Sequence, residues 1–140
     1  MKVYAFGEPD APAIVLLPGT CCDWKGNFET VIPLLKERYR VLCVSYDGFD
    51  RNEATEFPTM LEETEKIEDY IKRNCGGHIR AAYGCSLGGS FVGLLAARQK
   101  IRLIWRLGGM KNEIRRNADG HVGIVCAVFS EESDAFFRFG

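Results

Sequence analysis

The sequence has no excess of charge of either sign, and this balance argues against several kinds of partner. Lysine and arginine number 18, aspartate and glutamate number 19, and the formal net charge is −1. Proteins that bind nucleic acids or anionic membranes by charge concentrate Lys and Arg on one face, whereas here both signs are interspersed. We therefore expect a small-molecule substrate, with no nucleic-acid or membrane partner.

Long apolar runs are also missing, including at the N-terminus. Residues 1–7 alternate in character and contain neither the apolar core nor the small-residue cleavage site of a signal peptide, so the expected location is the cytoplasm. None of the six cysteines forms a C-x-x-C pair, and in a reducing compartment they are expected to be small buried apolar residues. Cys75 and His78 have the spacing of half a zinc site, but the second half is absent, and no metal or other cofactor is expected.

The chain is long enough for one domain with a core. It has 140 residues and 46% hydrophobic content, and we treat residues 1–140 as a single domain. Apolar or alternating segments typical of strands alternate with segments of helical spacing, which predicts an α/β fold with a mostly parallel sheet and helices on both faces. The predicted strands are 2–6, 13–17, 40–45, 79–83, 101–107 and 122–129, and the predicted helices run from Phe28 to Tyr39, from Pro58 to Asn74 and from Leu87 to Arg98.

The pattern Gly-x-Ser-x-Gly occupies positions 84–88, between a predicted strand and a predicted helix. A serine on such a sharp turn requires neighbours without a Cβ two residues away on each side, since side chains there would collide with the strand or helix. Gly84 and Gly88 meet this requirement around Ser86. The alternative is a glycine-rich helix start that binds nothing, because the pattern also occurs by chance.

An ordered set of such features makes residues 1–107 resemble the N-terminal half of an α/β-hydrolase-fold protein. The set comprises Leu16-Leu17-Pro18-Gly19-Thr20, Trp24, the Ile32-Pro33-x-Leu35 helix, the strand ending in Asp47-Gly48, and Gly84-Cys85-Ser86-Leu87-Gly88-Gly89. The family usually has His-Gly where Pro18-Gly19 stands here. Residues 108–140 follow no family pattern, so we expect an incomplete α/β-hydrolase-like fold with an atypical or truncated C-terminus.

The resemblance implies a serine hydrolase of small carboxylic esters or thioesters. In that reading Ser86 is the nucleophile, and the backbone N–H groups of Thr20 and Leu87 form the oxyanion hole. Two donors near the turn suit the negative oxygen of a tetrahedral intermediate, and the positive end of the following helix favours the same charge.

The base and the acid that would activate Ser86 are harder to identify, because histidine is scarce. His78 precedes its strand and therefore lies at the wrong end of a parallel sheet. His121 is the remaining candidate base, with Asp119 as its acid, but it also precedes a predicted strand, and Asp119 lies in the same turn. Substituting His121 is accordingly expected to matter little, and the alternative function is a catalytically incomplete fragment or a non-enzymatic binding domain.

The C-terminal segment also bears on assembly. In the family the sheet continues past the strand at 101–107, so this strand is either an open edge or one paired by 122–129. Phe136, Phe137 and Phe139 would add exposed apolar area. We therefore predict a homodimer, or aggregation, mediated by the segment from about Gly108 to Gly140.

Overall fold

The computed structural model describes the backbone of residues 1–116 and 122–129 and the side chains of residues 1–104. Strands and helices alternate along the chain, as the sequence predicts. The elements are β1 (Lys2–Phe6), β2 (Ala13–Leu17), α1 (Trp24–Phe28), α2 (Ile32–Leu35), β3 (Arg40–Ser45), α3 (Met60–Cys75), β4 (His78–Cys85), α4 (Leu87–Arg98), β5 (Arg102–Arg116) and β6 (Val122–Phe129).

The described strands form one sheet in the order β1-β3-β2-β4-β5-β6. β3, β2, β4 and β5 are parallel to one another, whereas β1 runs antiparallel to β3 and β6 runs antiparallel to β5. The predicted fold class, a mostly parallel α/β sheet, is confirmed. β1 is an edge strand as expected, and β5 is paired on its outer side by β6.

Helices cover both faces of the sheet. Successive side chains of a strand point to opposite faces, so a strand inside this sheet is buried on both sides. Val15 and Leu17 belong to one buried cluster with residues of α3 and α4. Ile14 and Leu16 belong to a second cluster, with Phe28 of α1 and a residue of α2. The unbroken apolar run of β2 is thus explained by burial on both sides.

Two predicted elements differ from the structure by more than a few residues. The helix predicted from Phe28 to Tyr39 is two short helices, because a proline ring clashes with the carbonyl four residues earlier, and Pro33 accordingly stands in the first turn of α2. The strand predicted to end at Leu107 continues as β5 to Arg116. The segment 111–116, which contains three basic residues and which the sequence placed in an atypical tail, therefore belongs to a strand.

Helix α3 precedes the central strand and has a defined start and stop. Thr59 and Glu62 form a capping box at its N-terminus, and the helix ends at Gly76, whose φ is 60°. Within the described ranges, no helix has the combination of length and apolar character needed to cross a membrane.

Candidate functional site

Ser86 lies in the turn between β4 and α4, at the carboxyl end of a strand that has neighbours on both sides. Its backbone has φ 51° and ψ −113°, and its side chain is exposed. Residues with a Cβ rarely adopt this conformation, which costs about 1–3 kcal/mol and persists only where the surroundings enforce it. The Ser86 carbonyl accepts a hydrogen bond from the Gly89 N–H at 2.8 Å, which closes the turn into the helix.

Close packing of backbone against backbone enforces this turn. A Cβ added at Gly84 would lie 2.1 Å from the carbonyl carbon and oxygen of Gly88. A Cβ added at Gly88 would lie 2.0 Å from the carbonyl oxygen of Leu17, on the neighbouring strand β2. Both positions therefore require glycine, and the helix can start directly against the sheet.

The loop that follows β2 lies beside Ser86. Pro18 and Gly19 are buried and Thr20 is exposed. A Cβ added at Gly19 would be 3.6 Å from the Ser86 Cβ, so the loop backbone passes within van der Waals distance of the serine. Cys21 closes the loop with a positive φ of 56°.

Two side chains hold this loop, and neither was singled out from the sequence. The Gly19 N–H donates to Asn27 Oδ1 at 2.8 Å, and the Tyr46 hydroxyl donates to the Pro18 carbonyl oxygen at 3.1 Å. Tyr46 directly follows β3 and is fully buried, and its ring stacks on Phe91 at 4.6 Å between centroids. Burial, together with the charge of Glu63, raises the pKa of Tyr46 above its usual range, so the hydroxyl stays protonated. The burial of Tyr46 could have been predicted from the alternation of apolar residues that continues to position 46. No sequence pattern indicated the contact of Asn27.

Ionic contacts hold the end of β3 against α3. The Asp47 N–H donates to Oε1 of the fully buried Glu63 at 2.9 Å, and Oε2 of Glu63 lies 3.4 Å from Lys66 Nζ. Burial by itself raises the pKa of Asp47, but hydrogen bonds from Lys66 and from the amino group of Met1 lower it below its ordinary value. This cluster anchors the segment that carries Tyr46.

Within the part of the chain that the structure describes, no candidate base lies beside Ser86. His78 is the first residue of β4, and eight residues of extended strand place it about 25 Å from Ser86. It is exposed at the opposite end of the sheet, as its position in the sequence predicts. Asp119 and His121 lie outside the described residues.

Among the described cysteines, only Cys43 is buried as the sequence led us to expect, whereas Cys22, Cys75 and Cys85 are partly exposed. Cys43 in β3 is buried, and burial raises the pKa of its thiol to about 12. Cys21 is exposed, which contradicts the expectation of a buried cysteine there. Its position is the reason, since Cys21 lies in the tight loop that follows β2 at the carboxyl end of the parallel strands.

Comparisons with known proteins agree on the fold. No protein-family model and no curated protein matches this sequence. Among solved structures, an α/β hydrolase family protein from Desulfitobacterium hafniense is 27% identical with a TM-score of 0.72, covering 76% of this chain and 43% of its own. An enol-lactonase from Burkholderia xenovorans LB400 is 24% identical with a TM-score of 0.62, covering 73% of this chain and 40% of its own.

A third similar structure shows how far the likeness extends. A 1H-3-hydroxy-4-oxoquinoline 2,4-dioxygenase is 22% identical with a TM-score of 0.61, covering 69% of this chain and 36% of its own. The same architecture therefore supports different reactions, and the reaction has to be argued from the site. This chain spans less than half the length of these three proteins. Over that length it has the α/β-hydrolase fold, which confirms the resemblance inferred from its sequence.

Proposed function

We propose that this protein is a serine hydrolase of small carboxylic esters or thioesters, with Ser86 as the nucleophile. The observation that carries the proposal is the strained backbone of Ser86, at φ 51° and ψ −113°, with the side chain exposed at the carboxyl end of the parallel strands. Ligands of open α/β sheets bind at that end. A strained turn that presents a hydroxyl to solvent has no structural use that glycine would not serve better.

The backbone N–H groups of Thr20 and Leu87 would stabilise the tetrahedral intermediate. Leu87 opens helix α4, so its N–H is among those without a partner inside the helix. The loop containing Thr20 passes next to Ser86 through Gly19. Each donor to a developing oxyanion contributes about 3 kcal/mol, and the N-terminal end of α4 adds a favourable dipole.

Ester chemistry is favoured by one of the structural neighbours. The enol-lactonase acts, by its name, on a lactone, which is an intramolecular ester. A small acyl substrate also suits the balanced charge of the chain, in which 18 Lys and Arg residues are matched by 19 Asp and Glu residues. No cofactor is needed for acyl transfer to a serine.

The first test is covalent labelling by a fluorophosphonate, followed by digestion and peptide mapping. Wild-type protein should carry the label on Ser86, and Ser86→Ala should carry none. Ser90→Ala is the matched control, because Ser90 is an exposed hydroxyl one turn further along α4. A folded wild-type protein that remains unlabelled at Ser86 would contradict an activated serine.

A second candidate function is an α/β-hydrolase-fold domain that binds ligand without turnover. The position of His78, at the end of β4 away from Ser86, favours it. Loss of the histidine from a serine triad lowers the rate by about 10⁶-fold, so a domain without its base would look inactive in ordinary assays. Turnover of a p-nitrophenyl ester that disappears in Ser86→Ala supports the enzyme, and equal background in both proteins supports the binding domain.

His121 and Asp119 are the remaining base and acid for the enzyme reading. Members of a triad act as a unit, so His121→Ala should abolish turnover as fully as Ser86→Ala if His121 is the base. The sequence led us to expect that His121→Ala retains turnover, because a histidine that precedes a parallel strand lies away from the carboxyl ends. That reason does not hold in the structure, since β6 runs antiparallel to β5 and its first residue, Val122, pairs with Arg116 at the end of β5. The comparison of the two variants in one ester assay decides the matter.

We also propose a homodimer through the segment from Gly108 to Gly140. β6 is the outermost strand of the described sheet on that side, and an outer strand offers unpaired backbone groups to a second copy. Light scattering on the full chain and on a version ending at Phe129 is the test. A well-dispersed monomer of the full chain at micromolar concentration would overturn the proposal.

A further inference from the structure

The peptide group between Pro18 and Gly19 is held from both sides by side chains of other elements. Its carbonyl oxygen accepts from the Tyr46 hydroxyl at 3.1 Å, and its N–H donates to Asn27 Oδ1 at 2.8 Å. In a trans peptide the C=O and N–H point in opposite directions, so the two hydrogen bonds fix the plane of this group. A buried peptide group needs hydrogen-bond partners. Here the two partners come from different parts of the fold, and this makes the loop rigid.

The next peptide group along the loop is oriented as well. The Gly19 carbonyl accepts from the Cys22 N–H at 3.3 Å. The Thr20 N–H belongs to the same peptide plane and therefore points away from that turn. Its direction is thus set by the preceding clamp at Gly19 and by the turn that follows.

From this arrangement we propose that Asn27 and Tyr46 are positioning residues that aim the Thr20 N–H at the acyl oxygen bound over Ser86. The inference rests on the proposed hydrolase function and adds to it the two side chains on which the loop's geometry depends. Neither side chain touches the reacting atoms; each acts through the Pro18–Gly19 peptide.

The supports of both residues fit this role. Asn27 lies in α1, whose start is capped by Asp23 accepting from the Gly26 N–H at 2.8 Å. Tyr46 is fully buried and stacks on Phe91 of α4, the helix that begins directly after Ser86. Tyr46 therefore contacts both the loop and the helix that begins directly after Ser86, and it fixes the position of one relative to the other.

The size of the effect follows from geometry. A displacement of about 1 Å in a catalytic group can cost about 10²-fold in rate, even when the mutated residue is away from the chemistry. Because the clamp orients a donor and does not supply it, removing one side chain should lower the rate constant for reaction at Ser86 by about 10- to 100-fold. Affinity for the ground-state ligand should change little, since the oxyanion is absent there.

The experiment measures fluorophosphonate labelling of Ser86 at several probe concentrations, which separates the maximal labelling rate constant from the binding constant. Asn27→Ala and Tyr46→Phe should show the 10- to 100-fold loss in the rate constant with an unchanged binding constant. Asn27→Asp keeps an acceptor for the Gly19 N–H and should retain a rate close to wild type. Asn27→Leu has a side chain of similar size but no acceptor, so a loss equal to that of Asn27→Ala distinguishes positioning from a general loss of packing.

The matched control for Tyr46→Phe is Tyr4→Phe. The Tyr4 hydroxyl also donates one hydrogen bond, to Asp50 Oδ2 at 2.8 Å, but β1 is separated from β4 by two strands. Tyr4→Phe should lose stability without losing labelling rate. Circular dichroism on each variant establishes that it is folded under the labelling conditions.

Three results overturn the inference. If wild-type Ser86 reacts and Asn27→Ala or Tyr46→Phe reacts within about twofold of it, the positioning role is wrong while the hydrolase proposal stands. If Tyr4→Phe loses as much rate as Tyr46→Phe, the effect is one of stability alone. If folded wild-type protein does not react at Ser86, both the hydrolase proposal and this inference fall.

Discussion

The two turns that flank β4 both contain residues with a positive φ angle, but the residue types differ. Before the strand, Gly76 and Gly77 have positive φ angles of 60° and 76°. After the strand, the positive φ of 51° belongs to Ser86, which carries a side chain. Glycine adopts such angles without penalty, so the first turn is relaxed and the second is strained.

If Ser86 is the nucleophile, as proposed, the difference separates a turn that needs a chemical group from one that needs only a change of chain direction. At the turn before β4, the backbone is satisfied by the Gly77 N–H donating to the Ile71 carbonyl oxygen at 3.2 Å, and no side chain is required. At the turn after β4, replacing serine by glycine would relieve strain but remove the hydroxyl. Strain that is retained at one turn and avoided at the other is the observation behind the proposal that the turn at Ser86 is the functional one.

The largest expected effect comes from Gly84→Ala or Gly88→Ala. The added methyl group would disrupt the close backbone packing that enforces the strained turn. The added Cβ would lie 2.1 or 2.0 Å from backbone atoms, an overlap that side-chain rotation cannot relieve. We expect a loss of at least about 4 kcal/mol in the free energy of unfolding, measured by urea denaturation, or no folded protein at all.

Gly93→Ala is the control for these variants. Gly93 lies inside α4, and a Cβ added there meets no atom within 4 Å. Alanine should therefore stabilise the helix by about 0.5–1 kcal/mol. Equal effects at Gly84 and Gly93 would show that the turn is not packed as described.

The strain itself is measured by comparing Ser86→Gly with Ser86→Ala. Both lose the hydroxyl, but only glycine relaxes φ 51° and ψ −113°. We expect Ser86→Gly to be more stable than Ser86→Ala by about 1–3 kcal/mol in the same denaturation experiment. Identical stabilities would mean that the turn carries no strain, which would remove the contrast between the two ends of β4.

A smaller effect is expected at the relaxed turn. Gly76 has φ 60° and ψ 25°, and a Cβ there would meet nothing within 4 Å, so Gly76→Ala adds only the conformational cost of a left-handed residue. That cost is about 1 kcal/mol in the free energy of unfolding. Gln99, which ends α4 with φ 50° and ψ 31°, offers the reverse change, and Gln99→Gly should gain a similar amount. Opposite signs for the two substitutions are the result that supports this account.

The smallest effect on stability is expected from modifying Cys21. Its thiol is exposed, so iodoacetamide at pH 8 should alkylate it in the folded protein with little change in melting temperature. Cys43 is buried with a thiol pKa of about 12, so it is mostly protonated and inaccessible at that pH and should react only on unfolding. Mass spectrometry of the digested protein separates the two. Equal reaction at both positions in the folded state would contradict the burial of β3.

Much of the candidate site was predictable because it is encoded locally. The Gly84-x-Ser86-x-Gly88 spacing predicted the turn, since each glycine is demanded by contacts within a few residues or with the adjoining strand. The resemblance to α/β-hydrolases was enough to assign the fold, which the solved structures confirm. The contacts of Asn27 and Tyr46 with the Pro18–Gly19 peptide were missed, because a polar side chain and a buried tyrosine carry no periodic signal for their partners.

The sequence by itself determined the alternation of strands and helices and the turn at Ser86. Each depends on side-chain periodicity or on the backbone freedom of particular residues, which are properties of the local chain. Only the tertiary structure decided that β1 pairs with β3 and not with β2, and that the loop after β2 is clamped between α1 and the end of β3. Those arrangements join residues that are far apart in the chain, as in the pairing of Lys2 with Ser45 across β1 and β3. They were not readable locally, because a burial pattern specifies which face of an element is covered but not which element covers it.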